Sequence, residues 1–135
     1  MREFNFVTFS NGVSVFNTTP HAITMQSPEG ELVSVPNCGV LVNAKPVETP
    51  VGDTGLYVRT DFVGDEQGQA IIDELTDFWK QNIGKGDNKL VIIGSIIAAQ
   101  AYPGQVSGMV PVPGYERVAP SEKRMRCDRF TTFLR

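Results

Sequence analysis

The stretch Lys89 to Gly104, K-L-V-I-I-G-S-I-I-A-A-Q-A-Y-P-G, constrains this chain more than any other. Leu90 to Ile93 is a continuous apolar run rich in β-branched residues, short enough to be a strand buried on both faces. Gly94-Ser95 then turns the chain, and Ser95 is a residue type that caps helices. Ile96, Ile97, Ala98, Ala99 and Ala101 continue as a nearly all-apolar short helix stopped by Pro103-Gly104. The predicted unit is a central strand running into a buried helix. Its helix start offers free N–H groups and a positive dipole end, which suit a phosphate or carboxylate. An ordinary strand-to-helix turn has the same sequence.

A chain of 135 residues with this stretch inside it is expected to form one domain with a real core. No apolar run reaches the length of a membrane span, because Leu90 to Ala101 is interrupted at Gly94-Ser95 and Gln100. The opening M-R-E-F-N-F-V-T-F alternates and has no signal-peptide h-region, so a cytoplasmic protein is expected. Cys38 and Cys127 are too few for a disulfide framework or a zinc site and read as buried thiols. No metal and no cofactor are expected.

Charge is unevenly placed. Residues 1–116 hold 6 Lys/Arg against 13 Asp/Glu, whereas residues 117–135 hold 6 against 2. An acidic body argues against general duplex binding, which needs several phosphate contacts from a basic face. The basic C-terminal segment suits an anionic small molecule or an acidic partner, or is simply a solvated charged strand.

Residues 4–9 alternate and are followed by Asn11-Gly12 and Val13 to Phe16, the pattern of a hairpin with a type I′ turn. His21–Met25 and Glu31–Val35 flank Ser27-Pro28-Glu29-Gly30 as a second hairpin. Pro36 to Gly39 breaks the chain before a predicted strand at Val40-Leu41-Val42. Residues 44–54, with two prolines and a glycine, read as an exposed loop, and Leu56 to Arg59 as strand. Asp65 to Ile83 is the clear amphipathic helix: Asp65 caps it, Gly84 closes it, and Ile71, Ile72, Leu75, Phe78 and Trp79 form its apolar stripe. Gly84 to Asp87 reads as a loop. Val110 to Pro113 reads as extended, and Arg124 to Asp128 alternates with Met125 and Cys127 inward.

One polar cluster has ligand-type chemistry. Asn17-Thr18-Thr19-Pro20-His21 gathers an amide, two hydroxyls and the one histidine around a turn. A turn that satisfies its own backbone uses the same residue types. Sequence signatures for zinc hydrolases, serine hydrolases and phosphate-loop enzymes are missing. A Cys–His pair from His21 with Cys38 or Cys127 has no local signature.

The segment Asn17-Thr18-Thr19-Pro20-His21 resembles a family of small, mostly uncharacterised phage and prophage proteins that open with N-L-T-P-H. Gly30, Pro36 with Gly39, the run Val91 to Ala101, Val112-Pro113-Gly114 with Arg117, and Arg126-Cys127-Asp128-Arg129-Phe130 resemble further family landmarks in the same order. Thr18 stands where the family usually has Leu, and Asn43 near a common Arg. Residues 1–16 and the helix at 65–84 look like additions. The resemblance implies a viral origin and a host-cell cytoplasmic setting, in which small proteins that sequester nucleotide second messengers are one known class.

The sequence therefore predicts an α+β domain spanning 1–135: a mainly antiparallel sheet carrying the helices 65–83 and 95–102, with an N-terminal hairpin extension at 1–16 and a basic C-terminal strand at 117–135. Three functions are open. The first is a non-enzymatic protein, homo-oligomeric, that sequesters an anionic nucleotide-like ligand. The second is a nucleotide-processing enzyme with His21 as acid or base. The third is a structural or host-protein-binding module. For the first, Asn17, Thr18, Thr19, His21, Ser95, Arg117 and Arg126 are the expected ligand-binding residues, gathered on one rim or at a subunit interface.

Overall fold

A computed structural model describes residues 3–84, 86 and 88–134. The predicted loop positions Lys85 and Asp87, and the terminal Met1, Arg2 and Arg135, lie outside the described residues. The chain is an α+β domain, with two α-helices and nine strands in three sheets among the described residues.

The first sheet is β1 (Val7–Thr8), β2 (Val13–Asn17) and β7 (Lys89–Ile93), in the order β1-β2-β7. β1 and β2 form the expected hairpin, but its turn differs from the prediction. Gly12 alone takes positive φ, the Gly12 N–H bonds Phe9 O, and the Phe9 N–H bonds Val13 O. This is a three-residue loop with glycine at the left-handed position, not a type I′ turn. The second hairpin repeats the geometry: the Gly30 N–H bonds Ser27 O and the Ser27 N–H bonds Glu31 O.

β7 lies parallel to β2, so the two cannot be joined by a hairpin. The middle place in the sheet belongs to β2, not to β7 as the sequence suggests. Alternation along both strands splits the core. Phe16 and Ile92 join one apolar cluster, and Val15 and Ile93 the other. The strands are buried on both faces, and for that reason Leu90 to Ile93 shows no polar alternation.

The first cluster packs under α1 (Glu66–Asn82) and α2 (Ile96–Ala101), through Ile72, Leu75, Ala98 and Ala99. Asp65 caps α1 by accepting the Gly68 N–H at 2.8 Å, and Ser95 caps α2 by accepting the Ala98 N–H at 3.2 Å. α2 is less buried than its composition suggests, since Ile96 and Ile97 are exposed.

The second cluster lies between the first sheet and a four-stranded one, ordered β4-β3-β9-β8: β3 (Ile23–Gln26), β4 (Leu32–Val35), β8 (Gly108–Pro111) and β9 (Met125–Thr131). Met25 and Cys127 point into it. β3 and β9 are parallel, and β3–β4 and β8–β9 antiparallel. Two sheets and a helical layer thus replace the single sheet expected.

Two element predictions are corrected. Val40 to Val42 is not a strand: Val40 and Val42 enter the first cluster, and the Val42 N–H contacts Thr18 O at 3.4 Å. The loop expected over 44–54 contains β5 (Lys45–Val51), paired antiparallel with β6 (Tyr57–Val63) as a separate two-stranded sheet. Pro46 and Pro50 are four residues apart and share one phase. Both therefore fit non-hydrogen-bonded pairs, where no N–H is needed.

Candidate functional site

The Asn17 side chain is fully buried at the end of β2. Its amide nitrogen donates to His21 O at 2.8 Å and to Val35 O at 3.0 Å. Its amide oxygen accepts from the Thr19 backbone N–H at 2.8 Å and lies 2.6 Å from the Thr19 hydroxyl. All of its hydrogen-bonding capacity is spent inside the protein. Thr18 is also buried, and its hydroxyl donates to Ile93 O at 2.8 Å. These two residues lock the end of β2 to the ends of β4 and β7.

Thr19 is half-buried and His21 exposed. The His21 imidazole makes no hydrogen bond among the described residues. Asn37 completes the knot, donating to Thr19 O at 2.9 Å and Val40 O at 3.0 Å. Ser95 stands at the same end of the first sheet, two residues after Ile93, and its hydroxyl is taken by the cap of α2.

Arg126 lies at the opposite end. It pairs with Gln26 at the far end of β3, and Asn11, in the turn that leads into β2, donates to Cys127 O at 3.1 Å. The length of β2 alone, about 13 Å, separates this region from Asn17. Arg117 is exposed in the segment between β8 and β9. The structure brings Asn17, Thr18, Thr19, His21 and Ser95 together and places Arg126 apart from them.

Arg126 lines a cleft of about 450 Å³ with Asn11, Gln26, Ser27, Pro28, Val112, Pro113, Cys127 and Asp128. Its Nε and Nη2 donate to the two Asp128 carboxylate oxygens at 2.8 and 2.9 Å, a planar fork-to-fork pair. That hydrogen bonding raises the Arg126 pKa and lowers that of Asp128. Cys127 borders the same cleft, but burial pushes its thiol pKa up, as it does for Cys38. A raised pKa makes a poor nucleophile near neutrality.

A second cleft, about 530 Å³, is lined by Thr24, Leu32, Tyr115, Val118, Ser121, Glu122, Lys123 and Arg124. The Arg124 guanidinium stands 4.4 Å from the centre of the Tyr115 ring. Both clefts draw on β3 and on the segment between β8 and β9, and only the first reaches into β9 itself, through Arg126, Cys127 and Asp128. The alternation of Arg124 and Arg126 announces this face in the sequence. Gln26, Ser27, Tyr115 and Lys123 carry no comparable signal.

Among the described residues, no group of three or more His, Cys, Asp and Glu is placed to hold a metal, and no helix is long and apolar enough to cross a membrane. Comparison with family models, with curated proteins and with solved structures finds no match.

Proposed function

We propose that this chain acts by binding, and that it holds an anionic, nucleotide-like ligand in the Arg126 cleft. The observation that carries this reading is the cleft itself: a recess of about 450 Å³, in the size range of small-ligand sites, with a pre-oriented guanidinium on its wall. Asp128 holds the fork through Nε and Nη2, which leaves the Nη1 N–H groups for a phosphate. Gln26 and Asn11 supply amides for a base or sugar edge, and Val112, Pro113 and Pro28 supply apolar walls. Lys123 and Arg124, which line the second cleft just before β9 begins, add positive charge nearby in the chain.

In the viral setting that the resemblance implies, the ligand is a nucleotide second messenger of the host, and binding withholds it from its receptor. The test is a thermal-shift panel of mononucleotides and cyclic dinucleotides, followed by denaturation and chromatography of the released ligand. A ligand at 100-fold over its Kd should stabilise the protein by about 2.7 kcal/mol and return intact. No shift with any nucleotide would overturn the reading, and a returned product would replace it with an enzymatic one.

A further inference from the structure

The ribbon of β5 and β6 is exposed at every residue but the half-buried Phe62. Its apolar side chains include Val47, Val51, Val58 and Val63, and at the tip Leu56 and Tyr57, which are 77 % and 67 % exposed. A lone two-stranded ribbon is marginal in water, and a cluster of exposed apolar residues marks an interaction surface.

The ribbon's two edges are not equivalent. Proline has no N–H, so the pairs Pro46–Phe62 and Pro50–Val58 are the ones whose backbone groups turn away from the partner strand. Glu48–Thr60, midway between them, has the same phase. The outer edge of β5 is therefore short of donors and blocked as a template. The outer edge of β6 instead presents the N–H and C=O groups of Val58, Thr60 and Phe62, and no backbone hydrogen bond outside the ribbon engages them among the described residues. α2 packs against β6, and a cleft of about 700 Å³ lies between Thr60, Asp61, Phe62 and Val63 on one side and Gln100, Pro103 and Phe133 on the other.

We propose that this edge pairs antiparallel with β6 of a second copy of the chain, about a two-fold axis through Thr60. Arg59 then stands opposite the second copy's Asp61, Val58 opposite its Phe62, and Tyr57 opposite its Val63, each twice by symmetry. The outward groups of Val58, Thr60 and Phe62 meet in hydrogen-bonded pairs, giving about six backbone bonds and one four-stranded sheet. Within each copy Arg59 Nε already lies 3.3 Å from Asp61 Oδ2, so the join creates a square of alternating charge. A slip of one pairing step sets Arg59 against Arg59 or Asp61 against Asp61. Charge thus selects the occupant and the register together.

Sedimentation equilibrium of wild type, Arg59→Asp, Asp61→Arg and their mixture tests this. Wild type should dimerise. Each variant alone faces like charge at both sites and should bind itself about tenfold or more weakly. An equimolar mixture should restore the dimer, because both acidic positions of the Arg59→Asp chain then face basic positions of the Asp61→Arg chain. Thr60→Pro, which removes an N–H the ribbon does not use, should be monomeric with an unchanged far-UV spectrum. A monomeric wild type, a variant that dimerises as wild type does, or a mixture that fails to restore the dimer would overturn the proposal.

Discussion

The phenolic oxygen of Tyr102 lies 2.9 Å from the backbone nitrogen of Asp65, whose carboxylate in turn accepts the Gly68 N–H at 2.8 Å. The residue that ends α2 thereby fixes the residue that begins α1, and the two helices form one layer over the first sheet. Gly68 is where this tie is tightest, since a Cβ there would meet Tyr102 Oη at 1.9 Å and Cζ at 2.7 Å. Glycine to alanine inside a helix ordinarily stabilises by about 1 kcal/mol. Here the clash reverses the sign, and Gly68→Ala should cost about 1–3 kcal/mol by chemical denaturation. A stability equal to or above wild type would show that Tyr102 does not hold this position.

Phe78 and Trp79 are neighbours on α1 with opposite sensitivities. Phe78 makes edge contacts with Phe4, Phe6 and Phe16, the aromatic group of the first cluster. Phe78→Ala should cost about 3–5 kcal/mol. Trp79 Nε1 is buried without a hydrogen-bond partner among the described residues. Trp79→Phe removes that unsatisfied donor along with some packing, and should change stability by less than about 1 kcal/mol. A loss as large as that for Phe78→Ala would contradict this.

Asn17 is a structural clamp on this account. Asn17→Ala removes the amide donor from Val35 O, the acceptor from the Thr19 N–H, and one of the two donors to His21 O, which keeps the Thr19 hydroxyl; it should cost about 1–3 kcal/mol. Asn17→Asp keeps the acceptor but sets a carboxylate against two carbonyls, so it should be worse. Thermal melts of the two variants check the order. Tolerance of aspartate would mean that this turn is open to solvent.

Burial raises both thiol pKa values above that of a free cysteine. A raised folded pKa gives stability that is complete below the unfolded thiol's pKa and is lost as pH climbs through the folded value. The melting temperature should therefore fall as pH rises beyond the free thiol's pKa of about 8.5. Alkylation by iodoacetamide at pH 8 should be slow in the native protein and fast in urea. Fast native labelling would give Cys127, on the wall of the Arg126 cleft, a reactive role.

What the sequence revealed depended on the range of the interaction. Hairpins, caps and the α1 stripe are local, so Gly12, Gly30, Asp65 and Ser95 could be read directly. The β5 strand was hidden because prolines at 46 and 50 look like loop residues until the pairing phase is known. The parallel pairing of β2 with β7 joins residues 76 positions apart, as in Val13 with Lys89, and leaves no local trace. The candidate site failed to gather on one rim for the same reason. Asn17 and Arg126 sit at opposite ends of the sheets, and only the register of β2, β3 and β9 reveals that.

Isothermal titration of the nucleotide that gives the largest thermal shift, into wild type and Arg126→Lys, tests the binding account most directly. Lysine keeps the charge but loses the planar fork, so affinity should fall by about tenfold or more while the melting temperature of the free protein stays near that of wild type. Equal affinity in the two proteins would contradict the account and remove the ligand from the Arg126 cleft.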